Sequence, residues 1–89
     1  MNSVIQKKKE CFFCGTTTGL HDHHIFGGPN RKISEKYGLK CWLCWRHHQE
    51  VHEKSPEMRM TLKIIAQKYF ETNIGDRDLF REKFGKSYL

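Results

Sequence analysis

Two groups of side chains in this sequence could hold metal ions. Four cysteines stand in two C-x-x-C spacings, Cys11 with Cys14 and Cys41 with Cys44, and six histidines crowd into HDHH (21–24) and RHHQEVH (46–52). Thiolate and imidazole are ligands of tetrahedral zinc, and a structural site closes with four of them. Cys11 and Cys14 supply one half, with Gly15 behind them to let the backbone turn its amides toward sulfur. The other half lies in CWLCWRHH, as either Cys41 with Cys44 or Cys44 with His47. Along a strand, Cys41 and Cys44 face opposite ways, whereas positions i and i+3 at a helix start share a side. The preferred set is Cys11, Cys14, Cys44 and His47, with Cys41 a small buried hydrophobe.

The second group is histidine alone. On a helix, His48 and His52 are four apart and project from one face, while His47 points about 100° away, toward the cysteines. If a hairpin packs across that helix, His23 becomes a third ligand. The remaining positions stay open to water or phosphate, the condition for a catalytic ion. His24 points the other way from His23 in a strand. It is free to act as a general base, since histidine ordinarily titrates at about 6.5. His21 and Asp22 are read as polar residues at the strand edge.

These side chains need a frame. Leu20 to Phe26 reads as a strand with Leu20, Asp22, His24 and Phe26 on one face and His21, His23 and Ile25 on the other. GGPNRK is a loop, because Gly27 and Gly28 are permissive and Pro29 cannot join a ladder. ISEKYGL suits one helical turn capped by Ser34 and ended at Gly38. Leu39 to Leu43 is a second strand, paired antiparallel with the first, and Trp45 to Glu53 a short helix. Ser55, Pro56 and Glu57 start another helix as N-cap, first residue and first-turn acid. It runs to about Thr72, with Met58, Leu62, Ile65, Tyr69 and Phe70 on its buried stripe. After a break at Gly75, Asp76 caps a final helix that ends before Gly85.

Composition bounds the rest. A chain of 89 residues with 37% hydrophobic content is one domain with little core to spare, so a metal is a suitable staple. In a reducing compartment, cysteines at these spacings are metal ligands rather than disulfides. Residues 1–10 read as a flexible basic tail, lacking the apolar core of a secretion signal, and residues 11–89 as the domain, with 11–54 the metal core and 55–89 the C-terminal helices. No apolar run is long enough to span a membrane, so a cytoplasmic location is expected. The net charge of +6 favours a polyanionic partner.

CFFC, HHIFGGPNRKISEKYGL, LCWRHHQEVH and the closing FREKFGKSYL together resemble the zinc-stapled HNH endonucleases, a subset often encoded by phages and prophages. The resemblance covers nearly the whole chain. It implies an α+β fold, a small ββα-metal (HNH) domain with zinc knuckle, β-hairpin and C-terminal helices. It also implies metal-dependent hydrolysis of DNA, double-stranded and with bacterial cytosol as setting. His23 would bind the divalent ion with His48 and His52, and His24 would activate water. A structural Zn2+ and a catalytic Mn2+, Mg2+, Ni2+ or Zn2+ follow as cofactors. A second copy of the chain or phage packaging proteins follow as further partners. The chain departs from the family at Leu39, where an asparagine commonly braces the loop, and Asn30 is the candidate substitute.

Arg31, Lys32 and Arg46 are candidates to grip phosphates, arginine through bidentate contacts. Arg59, Lys63, Lys68, Arg77, Arg81 and Lys83 are read as a few backbone contacts and a solvated majority. Nothing supplies base-edge readout, so weak sequence specificity is expected. The rival reading is a zinc-binding module that grips DNA or a protein without cutting, and it predicts one metal per chain.

Overall fold

The structure, a computed structural model, describes residues 3–89. The expected lead-in Met1 and Asn2 lie outside the described residues. From Ser3 on, the chain is held rather than free. The Val4 N–H donates to the Gly38 carbonyl (2.9 Å), the Ser3 hydroxyl to the Lys40 carbonyl, and the Gln6 side-chain oxygen accepts the Trp42 N–H (2.8 Å). Val4 and Ile5 pack on the core, so apolar contact and edge pairing outweigh the charge of the KKK run.

The domain is α+β: a two-stranded antiparallel hairpin with helices around it. β1 (Leu20–His24) and β2 (Lys40–Cys44) pair in a register running from Leu20 opposite Cys44 to His24 opposite Lys40. β1 stops two residues short of the expected Phe26. Ile25 still donates to the Leu39 carbonyl (3.1 Å), and Ile25 and Phe26 then turn their side chains into the core. Gly28, at φ +55°, makes the sharp turn into a single 3₁₀ turn at Gly28–Asn30.

α1 (Arg31–Tyr37) starts earlier than expected, and Ser34 is not its cap. Ser34 is fully buried inside the helix, where its hydroxyl accepts the Phe26 N–H (3.3 Å) and donates to the Leu39 carbonyl. That bridge ties the loop to β2. Gly38, left-handed at φ +69°, ends the helix as predicted. Leu39, where the family resemblance expects asparagine, has no exposed surface and belongs to the core.

α2 (Trp45–Gln49) does not continue as a plain helix but widens into a π-helical turn at Glu50–Lys54, closed by Ser55 N–H to the Glu50 carbonyl (2.8 Å). Such turns recur at functional sites. The Arg59 guanidinium reaches back to it, with Nη1 donating to the carbonyls of Val51 (2.8 Å) and His52 (3.2 Å). α3 (Pro56–Asn73) and α4 (Arg77–Phe84) begin as their sequences predict, with Ser55 and Asp76 accepting the N–H groups of Met58 and Leu79.

The buried line of α3 is Leu62, Ala66 and Phe70, a strict i, i+4 row. Met58, Ile65 and Tyr69, expected on that stripe, are only half-buried. Phe70 meets Phe80 and Phe84 of α4, which stack with Phe26 from the loop at 4.5–5.6 Å between centroids. Gln67, polar yet fully buried, is satisfied by the Ser87 hydroxyl (2.9 Å) and the Tyr88 N–H (2.7 Å), which pins the C-terminal segment over α3. Among the described residues no helix is long and apolar enough to cross a membrane.

Candidate functional site

The hairpin end and the start of α2 bring Cys11, Cys14, Cys44 and His47 together, with one ligand atom from each all lying within 4.8 Å of one another. The Cys14 and Cys44 sulfurs are 3.8 Å apart, and His47 Nδ1 is 3.4 Å from the Cys11 sulfur and 3.2 Å from that of Cys44. A tetrahedron with Zn–S of about 2.3 Å has S···S edges of about 3.8 Å, so the cluster has the size and the donors for a structural metal such as zinc. Burial raises the Cys11 thiol's pKa, but backbone N–H groups of Cys44, Cys14 and Phe13 outweigh it and bring it down to about 6. That direction favours the thiolate, the form a metal ion takes. Cys14, at the exposed tip, is helped by the Thr16 backbone, yet its neighbours Cys11 and Cys44 leave it raised.

Cys41 takes no part in this cluster. It is buried, and burial pushes its thiol up to about 12, which makes it a neutral, inert core residue. The two-residue period of β2 turns it away from Cys44, and the break into α2 then puts His47 on the Cys44 side.

The second group also meets. His23, His48 and His52 lie with one nitrogen of each within 4.8 Å of the others. The Nε2 atoms of His48 and His52 are 3.1 Å apart, and the His23 ring sits 5.3 Å from both rings, nearly perpendicular to that of His52. Two facing imidazole nitrogens at that distance need a proton or a cation between them. Burial first, then His48 and His52, lowers the His23 pKa to about 4, and burial first, then His52 and His21, lowers that of His48. Neutral imidazoles have the free lone pairs that metal ions take. His21, read as a strand-edge residue, stacks on His48 at 5.2 Å and limits where that ring can turn.

His24 faces the other way, as strand alternation predicts. Its Nε2 is 3.7 Å from a Glu35 carboxylate oxygen, and its Nδ1 accepts from Arg31 Nε at 3.4 Å. Glu35 was not legible as a site residue, because only the packing of α1 against the hairpin brings it to His24. Glu35 in turn pairs with Lys40 at 2.9 Å, and Lys40 with Asp22 at 3.0 Å. Burial opposes the Lys40 charge, but its hydrogen bonds to Glu35 and Asp22 win and raise its pKa, while Lys40 lowers that of Glu35. Asp22, His24 and Glu35 also come within ligand distance of one another, but the cation among them is the Lys40 ammonium.

Asn30 does not orient His24. Its amide donates to the Phe84 carbonyl (3.0 Å) and ties the loop to the end of α4. Arg31, the triad, His24 and the Gly27–Gly28 turn line one cleft of ≈ 290 Å³. Lys32 lines a neighbouring cleft with His24, Arg31 and Glu35. Arg46 is exposed on α2, and the clefts beside the triad are lined without it. A larger cleft of ≈ 530 Å³ opens between the N-terminal segment and β2, lined by Gln6, Lys9, Trp42, Asp22 and Lys40 among others.

No family model matches the chain, and neither a curated protein nor a solved structure matches it.

Proposed function

We propose that this protein is a metal-dependent DNA endonuclease of the HNH, ββα-metal type, stapled by zinc at Cys11, Cys14, Cys44 and His47. The observation that carries the reading is the single cleft into which His23, His48, His52, His24 and Arg31 all open beside two glycines. Three neutral nitrogens fit a divalent transition ion and leave room for a phosphate oxygen. When bound there, such an ion supplies Lewis-acid polarisation of the phosphodiester.

The chain's own residues do the rest. The Glu35 carboxylate favours the His24 tautomer with its proton on Nε2, leaving the lone pair on Nδ1. Arg31 holds that lone pair until a phosphate draws the guanidinium into a stronger charge-assisted contact. His24 Nδ1 then takes a proton from water, the hydroxide attacks phosphorus in line, and the P–O3′ bond breaks as the 3′ oxygen takes a proton from solvent, giving 5′-phosphate and 3′-hydroxyl ends. The phosphate-directed cations Arg31 and Lys32 beside this cleft grip backbone rather than base edges, which fits cleavage of weak sequence specificity.

The test is plasmid cleavage by wild type and His24→Ala with added Mn2+, Mg2+, Ni2+ or Zn2+. Wild-type cleavage that His24→Ala loses, with a second metal bound per chain, is the expected result. Equal activity of the two proteins would remove His24 as base. One metal per chain in metal excess, with no cleavage, would favour the non-cutting zinc module.

A further inference from the structure

A second cleft, ≈ 340 Å³, adjoins the first and shares His23, His24, His52 and the two glycines with it. Arg31 closes the first cleft, and Arg59 and Lys63 of α3 close the second. Arg59 is immobilised by its two Nη1 bonds to the π-helical turn that carries His52. Among the described residues, its Nε and Nη2 have no protein acceptor. Lys63 is half-buried, and its Nζ lies 5.0 Å above the Tyr88 ring, with Lys86 on the same ring at 5.1 Å. Among the described residues no carboxylate pairs with Arg59, Lys63 or Lys86. Burial first, then Arg59 and Lys86, lowers the Lys63 pKa, so like charges are gathered here without an anion to balance them.

The glycine at position 27 points to the same conclusion. Its backbone, at φ −98° and ψ −165°, is one that any residue adopts, and a Cβ built on it meets nothing within 4 Å. The fold therefore gives no reason for glycine at 27, in contrast to Gly28 with its positive φ. Gly27 lines both clefts, and a side chain there would meet open space rather than the packed core. A backbone without a side chain beside a metal-ligand cluster and a rigid guanidinium suits close approach of a ligand's own backbone.

We propose that Arg59 and Lys63, with the bare Gly27 backbone, form a subsite for a phosphate of the DNA strand next to the scissile one, so that the strand crosses the site from Arg31 to Lys63. The inference rests on the nuclease reading above and names where the substrate strand runs. Arg59 makes the directional contact, since its free donors are fixed by the π-helical turn. Lys63 adds charge that is held over Tyr88 rather than left to sweep through solvent.

The experiment measures binding of a fluorescein-labelled 20-base-pair duplex by anisotropy over a KCl series, without added divalent ion, and plasmid cleavage with it. The proteins are wild type, Lys63→Gln, Gly27→Ala and, on the exposed face of α3, Lys68→Gln. Lys63→Gln should reduce the slope of log Kd against log salt by about 1 and weaken two unrelated duplex sequences equally, as loss of one phosphate contact requires. Gly27→Ala should melt at the wild-type temperature and cleave roughly 10–100-fold more slowly, because a strand displaced by a methyl group is misaligned. Lys68→Gln should match wild type in both assays. Wild-type binding and cleavage with Lys63→Gln and Gly27→Ala indistinguishable from it would overturn the subsite alone. A wild type that neither binds nor cuts would overturn the nuclease reading and the subsite with it.

Discussion

Removing the metal from the Cys11, Cys14, Cys44 and His47 cluster should unfold the protein. At roughly 0.05–0.15 kcal/mol per residue, a chain of 89 residues has about 4–13 kcal/mol of net stability. A structural zinc contributes about 10–16 kcal/mol of binding free energy at neutral pH, as much as the whole. The cluster joins three segments, the Cys11–Cys14 turn, the end of β2 and the start of α2. The two C-x-x-C cysteines should not be equivalent. Cys11 is 2% exposed, with its sulfur held by backbone N–H groups, whereas Cys14 is at the exposed tip, where water can replace it. Cys11→Ser is therefore expected to lose zinc and helical signal together, and Cys14→Ser to keep weaker zinc binding and a lowered Tm. Cys41→Ser, outside the cluster, should keep one zinc per chain. Circular dichroism at 222 nm during a thermal melt, with zinc counted by atomic emission, reads all three. A Cys11→Ser protein that is zinc-free yet melts with wild type would refute the reasoning, as would loss of zinc from Cys41→Ser but not from His47→Ala.

In protein that keeps its structural zinc but carries no ion on His23, His48 and His52, the buried His23 should make the fold acid-sensitive. Its pKa falls from 6.5 to about 4 on folding, so its stabilising effect is complete above pH 6.5 and is lost as pH drops from 6.5 toward 4, by about 3 kcal/mol. The difference in urea midpoint between wild type and His23→Phe should change across that window and stay flat above it. Phe70→Ala, at a fully buried ring touching Tyr37, Phe80 and Phe84, should cost about 3–5 kcal/mol in urea denaturation. Glu35→Gln should lower kcat for plasmid cleavage roughly ten- to hundredfold with little change in KM, because the amide no longer fixes the His24 tautomer; an unchanged kcat would remove Glu35 from the site.

What the sequence determined by itself is what short-range geometry controls. Alternation along β1 separates His23 from His24, helical spacing pairs His48 with His52, and the caps at Ser55, Asp76 and Gly38 follow from side-chain or backbone chemistry within a few residues. The cysteine–histidine cluster was legible for the same reason, since the strand and helix periods choose His47 over Cys41. Tertiary structure decided everything that depends on distant segments meeting. Ser34 looked like a cap and became a bridge between Phe26 and Leu39, because α1 packs on the loop and buries the hydroxyl. Asn30 looked like a brace for His24 and braces α4 instead. The tail expected from its lysines is tied down by Ser3, Val4 and Gln6, whose partners lie more than thirty residues away. Glu35 beside His24, and Arg59 beneath His52, have no signature in the sequence. A charged side chain finds its partner through the fold, and no local period encodes that.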